Sequence, residues 1–545
     1  MVDKHEVNRL VTGVLEGRID RRELMRKAAA LGITVPGVLV LRAVPETGAA
    51  LRAQDAAAKP GGSLRAIVVD DPKFLDIHVT QLAQSRNIMA SVYEALTFID
   101  AADPTFPVKG RLASEWTFTE PTKLDFKLRS GIKFHGGEDF TADDVKWTIE
   151  YVKNPDTASP NASIIDQIDT VEVLDPLTVR LNLKQSWPAL PSNLSTIYIY
   201  PKTATKESLA STPNGTGPFI WNEWVPGDHI SITKNPNYWI PDRPYLDELV
   251  FRPIKEKATS LSVMEAGDAE VFFTPELKDK ETIDGNAELK SVPSLQNDAG
   301  YILYVNHNRV LADQNLRLAV AYALDRPTYF EAFLSGQGSK NTSPWSTNHW
   351  AYNPINDTAF EYDLEKAKGF LEAAGYTDGR KDGQALSINL VYPAGYPEWK
   401  QGSEMFQAAM AELGVEITVE ELEVSTWIDR IVTTDDFDLS WDYHFQRAVD
   451  PAWTLSLAFF YPPVDGNLSR YKDDQMADLI AQGGSELDQE KRKEHYFQFQ
   501  ERWNEIVPGL IVGEFVLFHA VASYVEGFAT DPLFFQDFRD VWLNQ

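Results

Sequence analysis

The segment Phe437-Asp438-Leu439-Ser440-Trp441-Asp442-Tyr443-His444-Phe445-Gln446-Arg447-Ala448-Val449-Asp450-Pro451 is the richest local concentration of recognition chemistry in the chain. Phe437, Leu439 and Trp441 alternate as on a buried strand, and the aromatic and polar mixture that follows runs into a loop closed by Asp-Pro. Loops at strand ends line ligand clefts, so Trp441 is expected to stand against a ligand with Tyr443 beside it. The planar donors of Arg447 suit a ligand carboxylate, the alternative being a surface or hinge charge, and His444 can donate or accept near neutral pH. A second cluster, Trp345 and Trp350, lies in the polar loop from Ser343 to Tyr352. Two indoles there either cover a ligand, whether sugar ring or apolar side chain, or pack against a neighbouring lobe.

These groups bind; they do not make a reaction centre. The chain has no Gly-x-Ser-x-Gly elbow, no Walker loop and no His-Glu-x-x-His pair, which removes the common hydrolase, nucleotide and zinc-protease readings. Gly215-Thr216-Gly217 and Gly336-Gln337-Gly338-Ser339-Lys340 read as turns. None of the nine histidines has another within the spacing of metal motifs. Cysteine is absent, so thiolate nucleophiles, disulfides and a lipid anchor through an N-terminal Cys are excluded. No enzyme activity, metal or cofactor is expected.

Charge narrows the partner. With 80 acidic against 51 basic residues the chain carries −29 over 545 residues, which disfavours nucleic acid and anionic lipid and leaves a small molecule or a protein. Residues 1–60 differ from the rest, with ten Lys/Arg and seven Asp/Glu. Arg21-Arg22 stands ahead of the uncharged run from Ala28 to Leu41 and the small residues Thr47-Gly48-Ala49-Ala50, the order of an export signal. The arginine pair resembles a twin-arginine signal, although Asp20 occupies a position where Ser or Thr is usual; the alternative is an ordinary amphipathic N-terminal helix. The run is too short to span ~30 Å of hydrocarbon. An exported monomer working in the periplasm or another extracytoplasmic space is expected.

Helical and extended patterns alternate through the remaining chain, which argues for α/β lobes. Leu124, Phe126 and Leu128 alternate as a strand; Val171 and Val173 with Val179, Leu181 and Leu183 flank Asp175-Pro176 as a hairpin. Thr141 and Asp144 form a capping box ahead of Val145, Ile149 and Val152, and Asn154-Pro155 stops that helix. Leu364, Ala367, Leu371 and Ala374 end at Gly375. A helix through Met405 or Phe406, Ala409, Met410 and Leu413 ends at Gly414, and Val415, Ile417 and Val419 follow as a strand.

Leu75-Asp76-Ile77-His78, Val92-Tyr93-Glu94-Ala95-Leu96, Leu128-Arg129-Ser130-Gly131-Ile132-Lys133-Phe134-His135-Gly136-Gly137, Gly215-Thr216-Gly217-Pro218-Phe219, Asn235-Pro236-Asn237-Tyr238-Trp239, Arg317 to Arg326, Ala373-Ala374-Gly375-Tyr376 and Asp450-Pro451 occur in this order. The ordered set resembles the family 5 extracellular solute-binding proteins, the ligand receptors of ATP-driven (ABC) importers. Most matched residues are read as scaffold, and Phe134-His135-Gly136 as a turn. Asp76 and His78 fall at the end of the first strand, where open α/β sheets place ligand crevices.

The resemblance implies a two-lobed periplasmic-binding-protein fold of α/β class with two hinge crossings and a third, smaller subdomain. Lobe I would comprise residues 61–295, including an insertion subdomain at about 105–215, and again 509–545; lobe II would comprise 296–508. It implies a receptor that closes on a peptide, an opine-like conjugate or a short oligosaccharide and meets ABC transporter permease subunits; a ligand receptor for chemotaxis or signalling is the alternative. In peptide-binding relatives an aspartate between the Trp and the Asp-Pro pairs with the peptide amino terminus. Here that interval is longer, and its one acidic residue is Asp442, directly after Trp441.

Overall fold

The computed structural model describes residues 58–545 except 73, 81–82, 101–102, 104–105, 295–298, 334–337, 348, 446–449, 457–466, 516 and 531–537. The export signal expected in residues 1–60 therefore lies almost entirely outside the described residues, as does Arg447. Residues 59–545 form one unit.

Its N-terminal part is built on β1 (Ser63–Val68). An insertion follows, with β2 (Ala113–Glu120), β3 (Lys123–Leu128), α1 (Ala142–Lys153), β4 (Ile168–Asp175) and β5 (Thr178–Leu183), and the chain then returns through β6 (Phe219–Val225), β7 (His229–Lys234), β8 (Glu248–Pro253), β9 (Val271–Phe272) and β10 (Leu289–Pro293). A second sheet begins with β11 (Ala299–Val305), continues through α2 (Gln314–Ala323), β12 (Gly338–Ser339), α3 (Leu364–Ala373), β13 (Ser387–Pro393), α4 (Pro397–Glu412), β14 (Glu416–Leu422), α5 (Val424–Ile428) and a π-helix (Asp429–Thr434), and reaches β15 (Leu439–Phe445). After α6 (Asp474–Ser485), α7 (Gln489–Ile506) and β16 (Gly509–Phe515), β17 (Phe518–Ala522) rejoins the first sheet. The sheet orders are β10-β17-β9-β1-β8-β7-β6, β12-β16-β11-β15-β13-β14 and, in the insertion, β2-β3-β5-β4.

Local chemistry accounts for these elements. Leu124, Phe126 and Leu128 all turn inward on β3, and Val173 pairs with Val179 and Val171 with Leu181 across the hairpin. Asp144 accepts the Thr141 N–H at 2.7 Å, closing the capping box of α1. Gly414 ends α4 at φ +74, a conformation that costs a side-chain-bearing residue. The strand β14 follows, parallel to β13.

Strand polarity locates the crevice. The first sheet is left at the C-terminal end of β10 and re-entered at the start of β17, its antiparallel neighbour, with Pro293 opposite Phe518. The second sheet is entered at Ala299 and left at Phe515, which are paired. The two crossings run side by side, Ser294 N–H donating to Leu517 O at 2.7 Å. β1 and β8 run parallel and β1 and β9 likewise, so the C-terminal ends of β1, β8, β9 and β10 face the hinge. In the second sheet β15 is antiparallel to β11 and parallel to β13, so Phe445, Pro393 and Leu422 end at the hinge side. A crevice between these ends is the place this topology offers a ligand.

The lobes also touch away from the hinge, where Ser186 and Trp187, just past β5, meet the end of α6. Ser186 Oγ donates to Ser485 O at 2.6 Å, a Cβ on Gly484 would lie 3.5 Å from the Trp187 ring, and Ala452 joins the core of the insertion.

Candidate functional site

Pro397 at the first position of α4 starts that helix two turns before the apolar stripe begins. It sets Tyr396, Glu398 and Trp399 at the crevice end of β13, where the sequence reading had only the later stripe from Met405. Tyr301 pairs in register with Tyr443. Both hydroxyls donate to Glu398 Oε1, at 3.4 and 3.3 Å. Tyr396 stacks on Trp399 with centroids 4.0 Å apart, and Tyr443 stands 4.9 Å from Trp399 and edge-on to Tyr396. Burial and the neighbouring carboxylate push the Tyr301 and Tyr443 hydroxyls well up, so both remain donors. Tyr396, Glu398 and Tyr443 are half-buried. Among the described residues no cationic side chain pairs with Glu398.

Asp442 lies on the opposite face of β15. One of its oxygens accepts the Tyr443 N–H at 2.7 Å, no described cation pairs with it, and burial raises its carboxyl to about 7. Glu398, a carboxylate without a described basic partner and walled by tyrosine and tryptophan rings, suits an ammonium group through charge-assisted hydrogen bonds and ring faces.

The sequence-predicted residues separate. Trp441 is fully buried, its indole N–H donates to Ser403 Oγ at 2.9 Å, and its ring stacks on Tyr329. It packs the lobe core and supports Tyr301 instead of presenting a face to the crevice, because the strand alternation that marked it as buried holds to its end. Tyr443 is at the crevice. The backbone of His444 pairs with Gly300, while its side chain, like Arg447, lies outside the described residues. Trp345 is buried against Tyr496 and Phe499 of α7. Trp350 meets Tyr496 edge-on and lies 5.3 Å from the Arg492 guanidinium. Both tryptophans therefore pack on a helix of their own lobe.

Asp76 and His78 are fasteners. Asp76 accepts from Tyr151 and Tyr200, tying the segment after β1 to the insertion; β1 ends at Val68, so Asp76 and His78 lie beyond the strand end where they were expected. The His78 ring spans Tyr198 O at 2.8 Å and the Asn161 amide at 3.2 Å, and burial lowers its pKa, so it stays neutral. The His135 ring is 3.0 Å from Gly217 O and burial lowers it to about 4, consistent with a turn. Glu94 is a second knot: Tyr238 Oη, Trp239 Nε1 and Thr216 Oγ1 donate to it at 2.7, 2.8 and 3.0 Å, beside Arg111. A Cβ on Gly215 or Gly217 would collide with Val92 O. Three motifs that are far apart in sequence thus converge on one buried carboxylate.

Residues 107–465 match the family model described as bacterial extracellular solute-binding proteins, family 5 Middle. The oligopeptide-binding protein AppA of Bacillus subtilis (strain 168) is 27% identical over 425 residues, covering 74% of this chain and 76% of that protein. Among solved structures, HbpA2 from Haemophilus parasuis superimposes with TM-score 0.80 at 23% identity, covering 89% of this chain and 100% of that one. The binding protein AgaA of A. tumefaciens R10, in complex with agropinic acid, gives TM-score 0.71 at 22% identity over 89% of this chain and 99% of that one.

Proposed function

Because the chain belongs to the bacterial extracellular solute-binding proteins of family 5 and is a substrate-binding receptor of the ABC-transporter type, we propose that its ligand is a peptide or an opine-like amino acid conjugate bearing a free amino group. The observation that carries this reading is Glu398, a carboxylate at the crevice end of α4 that accepts only from Tyr301 and Tyr443 and has no described cation to neutralise it. An ammonium brought by the ligand would pair with it, and the Tyr396, Trp399 and Tyr443 rings would cover the apolar atoms next to it. The names of similar proteins, an oligopeptide-binding one and one in complex with agropinic acid, support the same two classes. A neutral oligosaccharide would leave this carboxylate uncompensated. We also infer that a monomer of the chain is exported through Arg21-Arg22 and hands its ligand to permease subunits.

The test is a thermal-shift screen of tri- to pentapeptides, their N-acetylated forms, opines and maltooligosaccharides, followed by calorimetry on the strongest stabiliser. Acetylation should cost about 2 kcal/mol or more, roughly thirtyfold in Kd, and Glu398→Gln should remove much of that preference. A maltooligosaccharide that stabilises more than every amino-bearing compound would overturn the reading.

A further inference from the structure

The two oxygens of the Glu398 carboxylate are not equivalent. Tyr301 and Tyr443, paired across β11 and β15, both donate to Oε1, at 3.4 and 3.3 Å. Among the described residues no donor reaches Oε2. An ionised carboxylate has about four acceptor positions over its two oxygens, so a pair of hydroxyl donors occupies Oε1 and leaves Oε2 to the crevice.

The two donors also differ from each other. Tyr443 is half-buried at the crevice, whereas Tyr301 is 3% exposed and beyond a ligand's reach. The Tyr301 ring stands edge-on to Tyr329, Trp399 and Trp441, with centroids 6.0, 6.1 and 6.5 Å away, and lies 5.4 Å from that of Tyr443. Helix α4 closes this collar of rings. A Cβ on Gly402 would lie 2.5 Å from Tyr329 Cε2 and 3.3 Å from Trp441 Cζ2. A glycine inside a helix weakens it, and here it lets α4 lie directly on both rings. Next to it, Ser403 Oγ donates to Trp399 O at 2.7 Å while accepting the Trp441 indole N–H. Seated in this way, the first turn of α4 carries Glu398 to the Tyr301 hydroxyl in one orientation.

We propose that Tyr301 is the positioning residue of the ligand site and that, by occupying Glu398 Oε1 together with Tyr443, it makes the site select an alkylammonium against a guanidinium. An ammonium is a compact charge with rotatable donors, and the one open oxygen satisfies it. A guanidinium binds a carboxylate best as a fork, one nitrogen to each oxygen. That fork is closed here unless a tyrosine gives way, and the collar prevents Tyr301 from swinging aside. Two cations of equal charge are thus told apart by a hydroxyl that neither of them touches.

The inference rests on the amino-group reading, and the experiment separates the two. The probes are trialanine, N-acetyl-trialanine and N-amidino-trialanine, the last carrying a guanidinium in place of the ammonium. Calorimetry at neutral pH on the parent should give trialanine an advantage of about thirtyfold over the amidino form. Tyr301→Phe keeps the ring, reopens a position on Oε1 and should narrow that advantage to about threefold, chiefly by tightening the amidino form. A residue that only supports the fold would weaken both probes alike, so an unchanged ratio in a Tyr301→Phe protein with parental circular dichroism overturns the proposal. A parent that binds the amidino form as well as trialanine also overturns it. If Tyr301→Phe does not fold, Tyr443→Phe frees the same oxygen and must narrow the ratio in its place; an unchanged ratio there has the same meaning. If the parent treats trialanine and N-acetyl-trialanine alike, the amino-group reading itself falls.

Discussion

Arg492 and Asp450 meet as a buried two-point ion pair, with guanidinium nitrogens donating to the two carboxylate oxygens at 2.9 and 2.6 Å. Arg492 Nε also donates to Gly483 O at 2.8 Å, so one side chain ties Asp450-Pro451 to the end of α6. Replacing Asp450 by Asn leaves a buried charge unpaired and is expected to cost about 3 to 5 kcal/mol, whereas Asp450→Leu with Arg492→Met should recover most of it. Thermal unfolding of the single and double variants checks this; a double variant no more stable than the single one contradicts it.

Trp441 acts on folding. Trp441→Ala should destabilise by about 3 to 5 kcal/mol through the cavity it opens. Trp441→Phe keeps a ring and gives up the bond to Ser403, about 1 kcal/mol, with ligand affinity close to the parent. Calorimetry on the Phe variant decides: an affinity loss equal to that of Glu398→Gln would return Trp441 to the binding surface.

Asp442 makes stability depend on pH. Its folded pKa of about 7 lies above the ordinary carboxylate range, so between about pH 4 and 7 the folded state holds more protons than the unfolded one and stability falls as pH rises through this window. The ligand-free melting temperature should therefore decline from pH 5 toward 8, less steeply in Asp442→Asn. Parallel pH profiles for parent and variant would remove Asp442 from this effect.

Gly484→Gln places a side chain against Trp187 at the contact between lobe II and the insertion. The wedge is expected to hold the lobes apart, so small-angle scattering should show a larger ligand-free radius of gyration and less compaction on saturation than in the parent. Equal compaction would mean that this contact is indifferent to closure.

Export is tested by Arg21→Lys with Arg22→Lys. The folded-protein route reads the arginine pair, and the general secretory route tolerates lysine, so precursor should accumulate in the cytoplasm. Normal export of the Lys pair would refute the route.

Much of the scaffold was legible because it depends on local rules: the Thr141 capping box, the hairpin around Asp175-Pro176, and Gly414 between helix and strand each require only neighbouring residues. The convergence of the Glu94, Thr216 and Trp239 motifs could be listed from sequence but not located, since nothing local says that three distant segments meet on one carboxylate. The site was less legible. Trp441 was marked as buried by its own alternation with Phe437 and Leu439, and reading it as a ligand surface set that signal aside. Glu398 and Tyr396 carried a signal in Pro397, which starts a helix, but their meeting with Tyr301 and Tyr443 depends on the antiparallel register of β11 and β15. Trp345 and Trp350 found α7, about 150 residues on, an encounter that no spacing encodes.

The paired hinge crossings, joined by Ser294 N–H donating to Leu517 O, lie at one side of the second sheet's site, and a rotation of the lobes about them would pivot there. With strands about 4.8 Å apart, β15 sits one spacing from β11 and β14 three. A ligand that held the lobes apart at Tyr443 would open the β14 edge about three times as far. Small differences in ligand bulk near the crossings would then become larger differences in the gap at that edge.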